Sequence, residues 1–171
     1  VTVPEDSAVV DFNYFQGNSV TFDGVNDRVI VSGNSMYKFS NQFTVEAWIK
    51  PNSTGSDNYR GIISFGRDGS SQYGYGFAYY ATGWRFFMKT QSNSVSQWTS
   101  LPYASAPSGQ WTHLAASYDG LKLSLYKNGS LAEEKNISGS IVWDDNPGAL
   151  YIGSFNKDGN DYYFSGNIDE V

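Results

Sequence analysis

Apolar and polar residues alternate one by one through most of this chain, and short polar clusters interrupt the alternation every 8 to 12 residues. The clearest stretch is 42–50. There Phe43, Val45, Ala47 and Ile49 define one face, and Thr44, Glu46, Trp48 and Lys50 define the other. A period of two is the signature of a strand with one buried face, and Pro51 ends the run because it has no N–H for a ladder. Val20 and Phe22 precede a turn at Asp23-Gly24-Val25-Asn26-Asp27, and 29–31 resumes extended structure. Further strands are expected at 61–65, 73–80, 84–90, 111–118, 121–126, 131–137, 149–154 and 163–171. Ala81-Thr82-Gly83, Asp119-Gly120 and Asn128-Gly129 supply hairpin turns, since glycine or asparagine accepts the positive φ that such turns need. Only 34–39 reads as a helical turn. The sum is about twelve strands, with no interior linker and no repeat, which predicts one domain over 1–171 built as a two-sheet antiparallel β-sandwich.

Composition agrees. Gly (18), Ser (23) and Asn (14) make up close to a third of the 171 residues, and aromatics reach 17%. Turn formers and strand formers together describe a many-stranded chain. No cysteine is present, so there is no disulfide framework, thiolate nucleophile or cysteine zinc site. A single histidine, His113, excludes a multi-histidine metal cage and reads simply as a strand residue. A net charge of −6 argues against nucleic acid as a partner. No apolar run reaches the roughly 20 residues of a membrane-spanning helix. Residues 1–10 lack the basic start and apolar stretch of a signal peptide, so the expectation is a mature or excised extracellular module.

Four stretches, SVTFDGVNDRVIV, FTVEAWIKP, GQWTHLAASYDGLKLSLYKNGSL and LYIGSF…YFSGNIDEV, occur in an order that resembles the laminin-G-like jelly-roll domain of the concanavalin A-like lectin/glucanase superfamily, over residues 19–171. The resemblance implies a concanavalin A-like jelly roll with one concave sheet, usually displayed outside cells within a larger protein. In that family the chain normally runs on past the Ile-Asp-Glu-Val element, so the last strand is expected to be short. The fold hosts lectin-like binding, adhesion, hydrolysis and purely architectural roles.

Two chemistries have candidate residues. Asp23, Asn26 and Asp27 crowd one turn, and oxygen donors in such a cluster suit calcium. By resemblance Asp169 is the best ligand candidate, with backbone carbonyls near Asp11 or the Asp23 turn completing the shell. The alternative is that Asp23 and Asp27 bond only their own turn while Asp169 pairs with Arg28. Asn156, Asp158, Asn160 and Asp161 read as a solvated loop. Glycoside hydrolysis needs two carboxylates across the scissile bond, whereas Asp169-Glu170 and Glu133-Glu134 are adjacent in strand-like sequence and point to opposite faces. Enzymatic activity is therefore not expected.

Sugars offer apolar C–H faces to aromatic rings and hydroxyls to polar side chains. Tyr73, Tyr75, Phe77 and Tyr79 share a face opposite Gly74, Gly76 and Ala78, as either a core stripe or a sugar platform, with core favoured for Tyr75 and Phe77. Trp48 stands out because its face otherwise carries Thr44, Glu46 and Lys50. Trp98 and Trp143 are ligand-facing candidates that would serve equally as caps on the sandwich edge. The candidate ligand set is Trp48, Glu46, Trp98, Trp143 and Tyr73. The expected function is a non-catalytic binding or adhesion module for a glycan at a cell or particle surface. The alternative is a structural display or assembly domain, such as a virion decoration or fibre component, acting through a neighbouring protein.

Overall fold

The computed structural model describes residues 19–32, 35–53, 59–67, 73–80, 83–92, 95–102, 106–143, 148–157 and 159–171. Among them the alternation resolves into fifteen strands, paired antiparallel throughout, and one 3-10 turn at Ser35–Tyr37. They are β1 (Val20–Asp23), β2 (Val29–Val31), β3 (Phe43–Pro51), β4 (Arg60–Arg67), β5 (Tyr73–Tyr80), β6 (Gly83–Ser92), β7 (Val95–Pro102), β8 (Thr112–Tyr118), β9 (Lys122–Lys127), β10 (Ser130–Asn136), β11 (Ser140–Ile141), β12 (Leu150–Ile152), β13 (Ser154–Lys157), β14 (Asn160–Tyr163) and β15 (Ser165–Asp169). A six-stranded sheet runs β1-β15-β3-β8-β9-β10 and faces a seven-stranded sheet of order β11-β6-β5-β4-β12-β2, to which β7 adds on β6. The result is the concanavalin A-like jelly roll that the alternation and the resemblance predicted.

Between the sheets lies one core. Phe43, Val45, Ala47 and Ile49 of β3, Leu114 and Ala116 of β8, and Leu123 and Leu125 of β9 meet Tyr75, Phe77 and Tyr79 of β5 and Trp84, Phe86 and Met88 of β6. Phe43 stacks on Tyr75 at 5.3 Å between centroids and on Phe39 at 5.4 Å, so the two sheets touch through aromatic faces. Tyr75, Phe77 and Tyr79 of the β5 stripe are therefore core, as the pattern favours for Tyr75 and Phe77. Its glycine side also works: Phe87 leans over Gly76, where a Cβ would strike its ring and the Ile63 carbonyl.

Several boundaries differ from the sequence reading. Leu121 does not continue the row of Leu123 and Leu125. It is 71% exposed, because Asp119 Oδ1 accepts the N–H groups of Leu121 (2.8 Å) and Lys122 (2.7 Å) and holds both in the turn ahead of β9. Ile152 is half-buried and packs against the core. The expected strand at 149–154 breaks at Gly153, whose φ of 82° turns the chain out of the sheet with the Phe22 ring packed on its Cα. Gly153 then donates to the Ile62 carbonyl (2.8 Å) and accepts from the N–H of Phe164 (2.9 Å). Beyond this bend the chain forms a separate hairpin, β13–β14, laid on the outer face of the seven-stranded sheet. There Phe155 packs with Ala78 and Phe87, and Tyr59 and Tyr162 flank them. β4 admits the hairpin backbone because residue 61 is glycine, and Ser64 donates its hydroxyl to the Ser154 carbonyl at 3.0 Å.

Candidate functional site

Antiparallel register puts directly opposed side chains on the same face, which fixes what surrounds Trp48. On the outer face of the six-stranded sheet, Trp48 of β3 stands opposite His113 of β8 on one flank and Asp169 of β15 on the other. Its indole lies 5.3 Å from the His113 ring at 46° and belongs to neither buried cluster. Glu46, two residues away along β3, faces Ala115, whose own partner on β9 is Tyr126. The small Ala115 leaves room for Glu46 to reach diagonally to His113, and Oε2 sits 3.3 Å from Nε2. A diagonal reach of this kind is open to long side chains across a strand pair. Glu46 is 57% exposed and His113 is 20% exposed, so the carboxylate meets water while the imidazole serves as its anchor. Trp111, one residue ahead of β8 and in step with His113, is 41% exposed.

Trp48, Glu46 and Asp169 therefore come together on one surface, joined by His113 and Trp111. Neither of the last two is among the residues expected to contribute. The signal for both is present in the chain: 111 and 113 alternate with Thr112 and Leu114, which are buried. Trp143 goes elsewhere. Its Nε1 donates to the Phe39 carbonyl at 3.0 Å and its ring packs against Phe65 (5.1 Å) and Tyr75 (5.9 Å). It caps the sandwich edge, the other role that its sequence context allowed. Tyr73 occupies the β5 position opposite Arg67, and Trp98 the β7 position opposite Lys89; their side chains lie outside the described residues.

Asp23, Asn26 and Asp27 share one turn, and Asp169 lies apart from them. Asp23 Oδ1 accepts from Val25 (2.7 Å) and Asn26 (3.3 Å), and Asp27 Oδ2 accepts from the N–H of Asp23 (2.9 Å). These bonds, led by the one from Val25, hold the Asp23 carboxyl below the usual aspartate value. Asp23 stands opposite Ser165, whereas Asp169 lies four residues further along β15, about 13 Å of strand. Asp169 Oδ1 takes the N–H of Glu170. Among the described residues no three His, Asp or Glu side chains converge as a metal would need. Asp11 lies outside the described residues. Arg28 pairs with Asp161 at 2.8 Å rather than with Asp169.

That ion pair belongs to a second cluster, in a stretch whose sequence reads as solvated loop. The Arg28 guanidinium lies over Tyr151 (5.2 Å) and near Tyr163 (6.0 Å). Asp161 also accepts from Asn156 Nδ2 (2.8 Å) and the Tyr163 hydroxyl (3.2 Å). Partial burial pulls the Asp161 carboxyl up, but the bonds from Asn156 and Arg28, the Arg28 charge and Tyr163 outweigh it and leave the group below its usual value.

The carboxylates nearest Trp48 turn to different neighbours. Glu46 leans toward β8, while Asp169 sits on the other flank of β3. Glu134 of β10 is held by Lys122 at 3.2 Å, and Glu170 has left its strand with φ 47°.

Residues 23–171 match the family profile of a laminin G domain described as belonging to the concanavalin A-like lectin/glucanases superfamily, and the chain belongs to that family. Curated protein sequences gave no match. Among solved structures it resembles the IT-sialidase CBM40 of Ruminococcus gnavus bound to α2,3-sialyllactose, with 15% identity, 89% of this chain and 88% of that one covered, and a TM-score of 0.62. Domain 4 of an extracellular arabinanase from Geobacillus stearothermophilus, in complex with arabinotriose, is 21% identical over 90% of this chain and 73% of that one, at 0.53. Mouse laminin α1 domains LG4-5 are 12% identical over 88% and 39%, at 0.54. Identities this low establish the shared fold alone. Among the described residues no helix is long and apolar enough to cross a membrane.

Proposed function

We propose that this domain is a non-catalytic, extracellular glycan-binding module whose contact surface is the Trp48 face of the six-stranded sheet. The observation that carries the reading is the position of Trp48: a large, half-buried indole held outside both buried clusters, between Asp169 and His113, with Glu46 and Lys50 beside it on β3. An aromatic side chain placed there forgoes core burial, which is compensated when something apolar covers it. The C–H face of a pyranose is such a cover, and its ring hydroxyls would meet Glu46, Asp169 and Lys50 at the rim. Support also comes from the chain's likeness to domains solved with sialyllactose and arabinotriose.

Trp48→Ala is expected to weaken glycan binding by roughly 1–3 kcal/mol, on the scale of an aromatic–base stack, with the melting temperature held. Glycan-array screening followed by titration of the tryptophan fluorescence measures it. A variant that binds glycan as well as the parent overturns the assignment. A variant that instead loses self-association in sedimentation would favour the assembly reading.

A further inference from the structure

The six-stranded sheet is not the only surface with sugar-recognising chemistry. At the far end of β15, the turn joining β1 to β2 approaches the β13–β14 hairpin and the start of β4, and they enclose a cleft of about 460 Å³. Pockets of about 300–1,000 Å³ are the usual size for a small ligand, so one or two sugar rings fit. Gly24 lines it: the residue sits at φ 84°, and a Cβ there would press on Ser165 Cβ at 2.8 Å. Tyr59, Tyr162 and Tyr163 contribute the aromatic wall, with Tyr59 and Tyr162 edge-to-face at 5.2 Å.

Its polar groups are already fixed. Asp161 is oriented by Arg28, Asn156 and Tyr163, and Arg60 Nη1 donates to the carbonyl (3.2 Å) and hydroxyl (3.1 Å) of Ser53. Groups held in place beforehand lose little freedom when a ligand arrives. Charge then narrows the ligand. Asp23 and Asp161 line the cleft against Arg60, with Arg28 bound to Asp161, so no excess positive charge is left to hold an anion. An anionic sugar would bring its carboxylate toward two aspartates on a chain of net charge −6.

We infer that this cleft is a second saccharide site, separate from the Trp48 face, and that it takes an uncharged sugar residue in preference to a sialylated one. The inference rests on the glycan-binding reading but uses none of the same side chains. The cleft and Trp48 lie at opposite ends of β15, about 13 Å apart along the strand.

Arabinotriose and lactose serve as uncharged probes and α2,3-sialyllactose as the anionic one, each titrated into the full chain and followed by amide NMR shifts. An uncharged probe is expected to move the Gly24 and Ser165 resonances. Tyr162→Ala is expected to weaken that response by about tenfold, equivalent to about 1.4 kcal/mol, while Tyr162→Phe preserves it. Arg60→Gln provides the same test if Tyr162→Ala lowers the melting temperature. Shifts confined to residues around Trp48 overturn this inference and leave the proposed function standing. Tighter binding of sialyllactose than of lactose at Gly24 and Ser165 overturns the preference for uncharged sugars. No shift at either surface with any probe overturns the inference and the proposed function together.

Discussion

Asp161 illustrates how one side chain acquires a structural task from partners scattered through the sequence. Its carboxylate accepts from Arg28, Asn156 and Tyr163, and those bonds hold its proton affinity below the ordinary aspartate value of 3.8. A carboxyl depressed in the folded state adds stability that is present at neutral pH and lost as pH falls through its folded value. The melting temperature is therefore expected to drop below about pH 4, with Asp161→Asn less stable at pH 7 and flatter in that acid range. Differential scanning calorimetry from pH 7 to pH 2 checks both slopes. Asp169 provides a contrasting test. Because it lies apart from Asp23, Asp169→Asn is expected to change the melting temperature equally in calcium and in chelator. A calcium-dependent stabilisation that disappears in the variant would identify Asp169 as a ligand, since a ligand bound only to the native state raises its stability by mass action.

At the level of elements, two strands and one hairpin bear the most legible consequences. β9 inserts Leu123 and Leu125 between the sheets, both fully buried. Leu123→Ala is expected to cost about 2–5 kcal/mol in urea unfolding, the range for an aliphatic side chain removed from a packed core. The β13–β14 hairpin depends on close approach rather than on volume. At Gly61 a Cβ would meet the backbone of Ser154 and Phe155, which cannot move aside as a flexible side chain would. Gly61→Ala is expected to lift the hairpin and cost roughly 1–3 kcal/mol, the range for overpacking. Increased amide exchange at Phe155 and Tyr162, with the β3–β8 ladder still protected, would report that local release.

For the whole molecule, the exposed edge bears on whether the domain acts alone or assembles. Among the described residues β10 ends the six-stranded sheet and every residue in it is exposed, a row with no strand on its outer side that invites another strand. It carries Glu133, Glu134 and Lys135, and a register shift between Leu131 and Glu133 disturbs its regularity. Charges and bulges of this kind discourage edge-to-edge pairing. The domain is expected to sediment as a monomer, and replacing Glu133 and Glu134 with threonine to promote self-association. Stable oligomers of the parent chain would favour the display or assembly reading instead.

The alternation along β3, β5 and β8 and the turn residues at 119–120 and 128–129 determined the antiparallel sandwich, the inner faces and the outward position of Trp48. All of these are local consequences of a two-residue period and of which residues accept positive φ. What the period cannot carry is the partner across a strand or across a sheet. Trp48 meets His113 through a pairing 65 positions distant, and Arg28 meets Asp161 across 133. The break at Gly153 was hidden for the same reason: nothing next to it in sequence announces the Phe22 ring on its Cα or the Ile62 carbonyl that takes its N–H. Sequence alone thus determined the inner and outer faces along the regular strands, though not at their ends, where Leu121 turns out to water and Trp143 packs against the core. Only the tertiary structure decided which of the outward side chains share a surface, because register and sheet order are set by contacts between distant segments.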